Sequence, residues 1–139
     1  MENSVVILVD SNMWAYYFDS TLPEHVKVIK PLESLLKKNQ VAVNATISVE
    51  TLHYLVKRLG PLEGEKKGRV FLSYGMPLYE IDEQVVELTL TKLSEFTHLG
   101  IGGRDATILA TMSLEGIHNL MTHDQAFRRI PEVDVVDPI

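Results

Sequence analysis

An unbroken apolar run, Val5 to Val9, stops at Asp10. A strand with one wet face alternates polar and apolar residues, so a continuous run reads as a strand buried on both faces, the condition of an internal strand in a parallel sheet. We take it as the central strand. Helical stretches follow at about Asn12 to Phe18 and at Glu24 to Lys38, where Val28, Leu32, Leu35 and Leu36 lie toward one side and Pro31 is expected to kink or divide the helix. Val41 to Val43 is the second strand. The spacing of Leu52, Leu55, Val56 and Leu59 predicts a helix over Ile47 to Leu59 that stops at Gly60-Pro61, with Glu50 in its first turn.

Leu62 to Tyr74 is helical but weakly patterned. Pro77 to Ile81 is a third strand, and a long helix runs from Asp82 to about His98. The loop Gly100 to Gly103 leads into a helix over Arg104 to Glu115, closed by Gly116, with Asp105 in its first turn. Asn119 to Thr122 is a fourth strand, Gln125 to Ile130 a short helix and Val133 to Val136 a last strand. Strands alternating with helices imply a three-layer α/β/α fold around a parallel sheet of about five strands. With 139 residues, 45% of them hydrophobic, the chain is expected to form one domain spanning 1–139.

The absence of cysteine removes disulfides, thiolate metal sites and cysteine nucleophiles together, and suits a reducing cytoplasm. The N-terminal residues have neither the positive leader nor the apolar length of a signal peptide, and no membrane association is expected. A net charge of −6 argues against broad electrostatic capture of nucleic acid, so any such contact must be local. The same acidity favours a basic protein partner.

Asp10, Glu50, Asp105 and Asp124 each sit at or near a predicted helix start, and Asp10 and Asp124 directly follow predicted strands. Singly, each has an ordinary explanation, because a first-turn carboxylate caps free N–H groups and complements the helix dipole. Capping requires no shared location, however, and this topology sends all four toward the strand-end crevice where α/β folds place their chemistry. Carboxylates gathered there repel one another unless a hard divalent cation neutralises them.

The segments V-D-S-N after the first strand, T-I-S-V-E-T-L, G-R-D-A-T-I-L-A and M-T-H-D-Q-A-F occur in that order, their acids 40, 55 and 19 residues apart. Together they resemble the PIN domain family, in particular its small VapC-like ribonucleases, and the resemblance spans nearly the whole chain. It implies a parallel sheet carrying an acidic pocket that holds Mg²⁺ or Mn²⁺ and hydrolyses RNA. By motif, Asp10, Glu50, Asp105 and Asp124 are the pocket acids, while Asn12 and Thr122 match the small polar positions beside the first and last of them. The resemblance also implies a homodimer and an antitoxin protein as partner.

A phosphodiester is an anion attacked by oxygen, so a divalent metal serves both to neutralise charge and to supply hydroxide near neutral pH. Asp10 and Asp105 are expected as direct ligands, with Asp124 and Glu50 binding directly or through water, and Glu50 able to orient the nucleophile. Arg104 has two readings, a phosphate contact or a solvated helix-end charge, as have Arg128 and Arg129. The five histidines lack the i, i+4 pair of zinc hydrolases. Trp14, Tyr16, Tyr17 and Phe18 could stack on bases, but such a cluster more often packs a core or a protein interface. The resemblance, which implies helix-borne dimer and antitoxin contacts, makes it a partner site rather than a base platform. Asn12 stands where haloacid-dehalogenase phosphatases carry a second aspartate, and Gly100 to Gly103 lacks the dinucleotide-binding pattern. The competing readings are a housekeeping RNA-processing nuclease and a PIN-like module that binds RNA or protein without catalysis.

Overall fold

The computed structural model describes residues 5–139, and the expectation about a leader segment falls in part on residues 1–4, outside that range. Five strands form one sheet in the order β3-β2-β1-β4-β5, all neighbours parallel. They are β1 (Ile7–Val9), β2 (Val41–Asn44), β3 (Leu78–Tyr79), β4 (Asn119–Met121) and β5 (Asp134–Val136). The helices are α1 (Ser11–Phe18), α2 (His25–Lys37), α3 (Ala45–Leu72), α4 (Glu83–Phe96) and α5 (Gly103–Glu115), with 3₁₀ segments at Thr97–Leu99 and Gln125–Arg129. This is the three-layer α/β/α arrangement. Right-handed crossovers place the helices joining β1, β2 and β3 on one face and those joining β3 to β4 on the other.

β1 is central, as its apolar run requires: Leu8 and Val9 are fully buried, and Leu8 pairs with Ala42 on one side and Leu120 on the other. The run enters the sheet at Ile7, two residues later than expected, since Val5 is exposed. The chain winds outward from β1 to β3, then crosses back to β4. The strand order therefore reverses between β1 and β4, which opens a crevice at their C-terminal ends.

Pro31 does not divide α2, which is continuous through it, with Val28 and Leu32 buried and Pro31 itself exposed. α3 does break where glycine and proline predict. Gly60 takes φ 86°, ψ 165°, a backbone conformation that other residues rarely adopt, and the second arm folds back on the first. A Cβ at Gly64 would lie 2.5 Å from the Leu55 carbonyl oxygen and the Val56 Cα, so the arms meet backbone to backbone.

Of the aromatic cluster, Trp14 and Phe18 are core, which corrects their reading as a partner surface, while Tyr16 and Tyr17 are half-buried. Trp14 is fully buried, its ring 4.9 Å from that of Phe71 on the second arm of α3 and 6.1 Å from that of Phe18. Its indole N–H donates to the Val9 carbonyl at 3.1 Å, tying α1 to the end of β1. Among the described residues, no helix is long and apolar enough to cross a membrane.

Candidate functional site

Helices that connect parallel strands run antiparallel to them, so the N-termini of α1, α3 and α5 all lie at the C-terminal edge of the sheet. β1 ends directly on Asp10, whose carboxylate caps α1 through the Ser11 N–H at 2.7 Å. β4 ends at Met121, and Thr122 and Asp124 follow at the opposite lip of the crevice. Asp124 caps the 3₁₀ segment through the Ala126 N–H at 3.0 Å.

α3 begins at Ala45, directly after β2, because the buried Asn44 caps it by accepting from the Ile47 N–H at 2.9 Å. Glu50 therefore falls in the second turn, not the first, and is not a dipole partner of the helix start. The Asn44 amide also donates to the Thr111 hydroxyl of α5 at 3.1 Å, and the Thr107 hydroxyl meets that of Thr46 at 2.9 Å. These bonds fix the start of α3 against α5. They set the separation of Glu50 from Arg104 and Asp105.

At the centre of the crevice stands Arg104, the second residue of α5. Its Nε donates to both Glu50 oxygens at 2.6 and 2.7 Å, Nη1 donates to Asp105 Oδ1 at 2.7 Å, and Nη2 donates to Asp10 Oδ1 and to the Ser11 hydroxyl at 3.0 Å. The reading of Arg104 as a solvated helix-end charge thus fails. Its side chain is 31% exposed and ion-paired to three carboxylates distant in sequence or adjacent to it. Burial alone would favour losing its proton, but the surrounding carboxylates, Asp10 foremost, raise its pKa still further. Ser11, which donates to Glu50 at 3.2 Å, was not picked out from the sequence, although it lies inside the V-D-S-N segment.

Asp10 is fully buried, and its second oxygen accepts from the Thr122 hydroxyl at 2.8 Å. Thr122 has one proton and spends it there, so its oxygen can only accept from Asn12 Nδ2 at 3.2 Å and from the Asp124 N–H at 3.1 Å. That orients the Asn12 amide and turns its Oδ1 away. Among the described residues, Asn12 Oδ1 is the one buried side-chain nitrogen or oxygen without a hydrogen-bond partner. Asp105 has its pKa raised, first by burial and then by the charges of Asp124 and Asp10, against the lowering effect of Arg104. Three of the four acids therefore share one cation, and the fourth acts on Asp105 through space.

A hard-oxygen set around a positive charge, with a residue carrying an unsatisfied carbonyl oxygen bonded to Thr122 next to it, fits the donor chemistry of Mg²⁺ or Mn²⁺. In this conformation the carboxylates are disposed around a guanidinium. Among the described residues, no three Asp, Glu or His side chains converge closely enough to hold one ion. The histidines stand apart: His25 bonds the Tyr16 carbonyl, and His123 bonds Asp137. Arg128 bonds Gln125 and lies 3.5 Å from Asp137. An open groove of about 460 Å³ adjoins the acids at Ser11, Asn12 and Glu50 and is bounded by Tyr16, Tyr54 and Arg58.

The PIN domain family model matches residues 7–133, from the first residue of β1 to just before β5. The chain belongs to the PIN domain family. No curated protein matches this PIN domain by sequence. Among solved structures it is similar to Mycobacterium tuberculosis VapC20, described as a sarcin–ricin loop cleaving toxin, at 20% identity and TM-score 0.74, covering 90% of this chain and 95% of that one. It is similar to VapBC2 from Rickettsia felis bound to a promoter DNA fragment, at 20% identity and TM-score 0.76, covering 96% and 98%. A toxin–antitoxin complex from Klebsiella pneumoniae is similar at 24% identity and TM-score 0.73, again covering 96% and 98%. At these identities the likeness is one of fold.

Proposed function

We propose that this PIN domain is a metal-dependent ribonuclease acting through Asp10, Glu50, Asp105 and Asp124. The observation that carries this reading is the meeting of Asp10, Glu50 and Asp105 on one cation at the C-terminal edge of the sheet. Three carboxylates around one cation go beyond capping, since Glu50 caps nothing and Asp10, which caps α1 through Ser11, still turns to Arg104. Asp10 and Asp105 would hold Mg²⁺ or Mn²⁺, with Asp124 and Glu50 beside them. Such an ion supplies charge neutralisation at the scissile phosphate and a nucleophilic oxygen at neutral pH.

The chain's own residues do the rest. Thr122 fixes the Asp10 carboxylate, Asn12 holds Thr122 through its amide N–H and keeps a buried, unpaired Oδ1, and Ser11 orients Glu50. The groove of Tyr16, Tyr54 and Arg58 gives a single-stranded RNA room beside the acids, with ring faces to stack on and a guanidinium for a phosphate.

The biological role that fits is that of the toxin in a toxin–antitoxin pair. The similar VapC20 is described as a toxin and the similar Klebsiella pneumoniae structure as a toxin–antitoxin complex, and this chain spans nearly the full length of each. In this reading 1–139 is a single domain, working in the cytoplasm as a homodimer that an antitoxin protein restrains.

The test is cleavage of a labelled mixed RNA pool by purified protein with Mg²⁺, Mn²⁺ or chelator, beside Asp105→Asn. Metal-dependent cutting that the variant loses supports the reading. A folded, partner-free protein that cuts nothing and binds no Mn²⁺ would leave a non-catalytic RNA- or protein-binding module in its place.

A further inference from the structure

Arg104 contributes four of its five N–H groups to Asp10, Glu50, Asp105 and Ser11. A single exposed ion pair contributes little, but a guanidinium that spans three carboxylates, one of them fully buried, is a fitted counter-ion. We infer that Arg104 is an internal plug of the acid centre, which a divalent cation must displace in order to bind. The inference rests on the metal-dependent reading above and adds a control built into this chain.

Three observations carry it. The oxygens that Arg104 engages on Asp10 and Asp105 belong to the expected direct ligands, so an ion held by those oxygens would compete with the guanidinium for them. The carboxylates, spread around that guanidinium, form no three-residue group able to hold an ion as they stand. Finally, Arg104 has a way out. It lies in the first turn of α5, is 31% exposed, and follows Gly102 and Gly103, both exposed and open to solvent, so the side chain can rotate outward without unwinding the helix.

The exchange costs no proton transfer, because arginine stays charged on either side of it. One cation leaves as another enters, and the acids are never left uncompensated. A ligand that meets a competent site only part of the time has its apparent affinity reduced by that fraction. Arg104 thereby sets the metal concentration at which the centre assembles.

The experiment is calorimetric titration of Mn²⁺ into wild type, Arg104→Gln and Arg104→Lys, with thermal melts in chelator and in Mn²⁺. Arg104→Gln is expected to bind Mn²⁺ about tenfold tighter than wild type, to melt lower in chelator and to recover more of its midpoint when Mn²⁺ is added. Arg104→Lys keeps a charge but cannot span three carboxylates, so it should fall between the two, and it supplies the comparison if the glutamine variant does not fold. Equal or weaker Mn²⁺ binding by the folded variants would overturn the plug while leaving the metal-dependent reading intact. Absence of Mn²⁺ binding by wild type and variants alike would overturn both.

Discussion

Two buried aspartates bracket α1, and they are satisfied in opposite ways. Asp19, at the C-terminal end, is 2% exposed and accepts from the Thr21 N–H at 3.1 Å, the Thr21 hydroxyl at 2.6 Å and the Tyr54 hydroxyl at 2.8 Å. Burial alone would raise its pKa, but these bonds outweigh burial and hold it below the ordinary carboxylate value. The same contact works in reverse on Tyr54, whose hydroxyl is pushed up to about 12, by burial first and by Asp19 next. Asp10, at the other end, has one oxygen held by Thr122 and the other shared between the Ser11 N–H and a cation that also serves Glu50 and Asp105. Fixed neutral donors complete a carboxylate for good. A shared, rotatable cation leaves it open to exchange, in keeping with the chemical role proposed for Asp10 and a structural one for Asp19.

The sharpest way to break that contrast is Asp10→Asn. Its amide oxygen keeps the cap on Ser11, so the fold should persist, while RNA cleavage in Mn²⁺ should fall by about 10²–10³-fold. A variant that cleaves at the wild-type rate would put Asp10 in the same class as Asp19. The converse substitution, Asp19→Asn, should cost about 2 kcal/mol in a denaturant melt, since bonds to a charged acceptor are among the stronger ones. Cleavage should survive it.

Asn44→Ala sharpens the comparison from the side of the scaffold. Losing the cap of α3 and its tie to α5 should cost about 1–2 kcal/mol, no more than Asp19→Asn. It should nevertheless lower cleavage, because it loosens Glu50 relative to Arg104. If the two variants are equally active, the α3–α5 tie does not bear on the acid centre.

The smallest effect is in pH. The folded-state pKa of Asp19 lies below the unfolded value of about 3.9. Its contribution is therefore complete above that value and is lost as the pH falls through the lower folded one. The gap in melting midpoint between wild type and Asp19→Asn should stay constant from neutral pH to about pH 4 and close below it. A gap that closes at higher pH would mean that the carboxylate is not held in its charged form.

Much of this molecule was legible because its signals are local. The buried run of β1, the break at Gly60-Pro61 and the position of Asp10 and Asp124 after strands are each written in adjacent residues. What escaped depends on distance. Arg104 reads as an ordinary helix-start charge until Asp10, 94 residues away, and Glu50, 54 residues away, are folded against it. Trp14 and Phe18 form an i, i+4 pair whose partner, Phe71, lies beyond the α3 break, so no window along the chain decides between core and interface for them. Sequence spacing puts Glu50 a turn early because β2 passes into α3 with no loop between them, which no composition change announces.

The hydrogen bond from the Trp14 indole to the Val9 carbonyl has a practical consequence. Trp14 is the sole tryptophan of the chain, is fully shielded from water, and is anchored to the residue immediately before Asp10. Its emission therefore comes from one environment at the β1–α1 junction, without background from other indoles. In the proposed exchange the charge held by Asp10 changes beside that ring, and the emission of the unlabelled protein would report it.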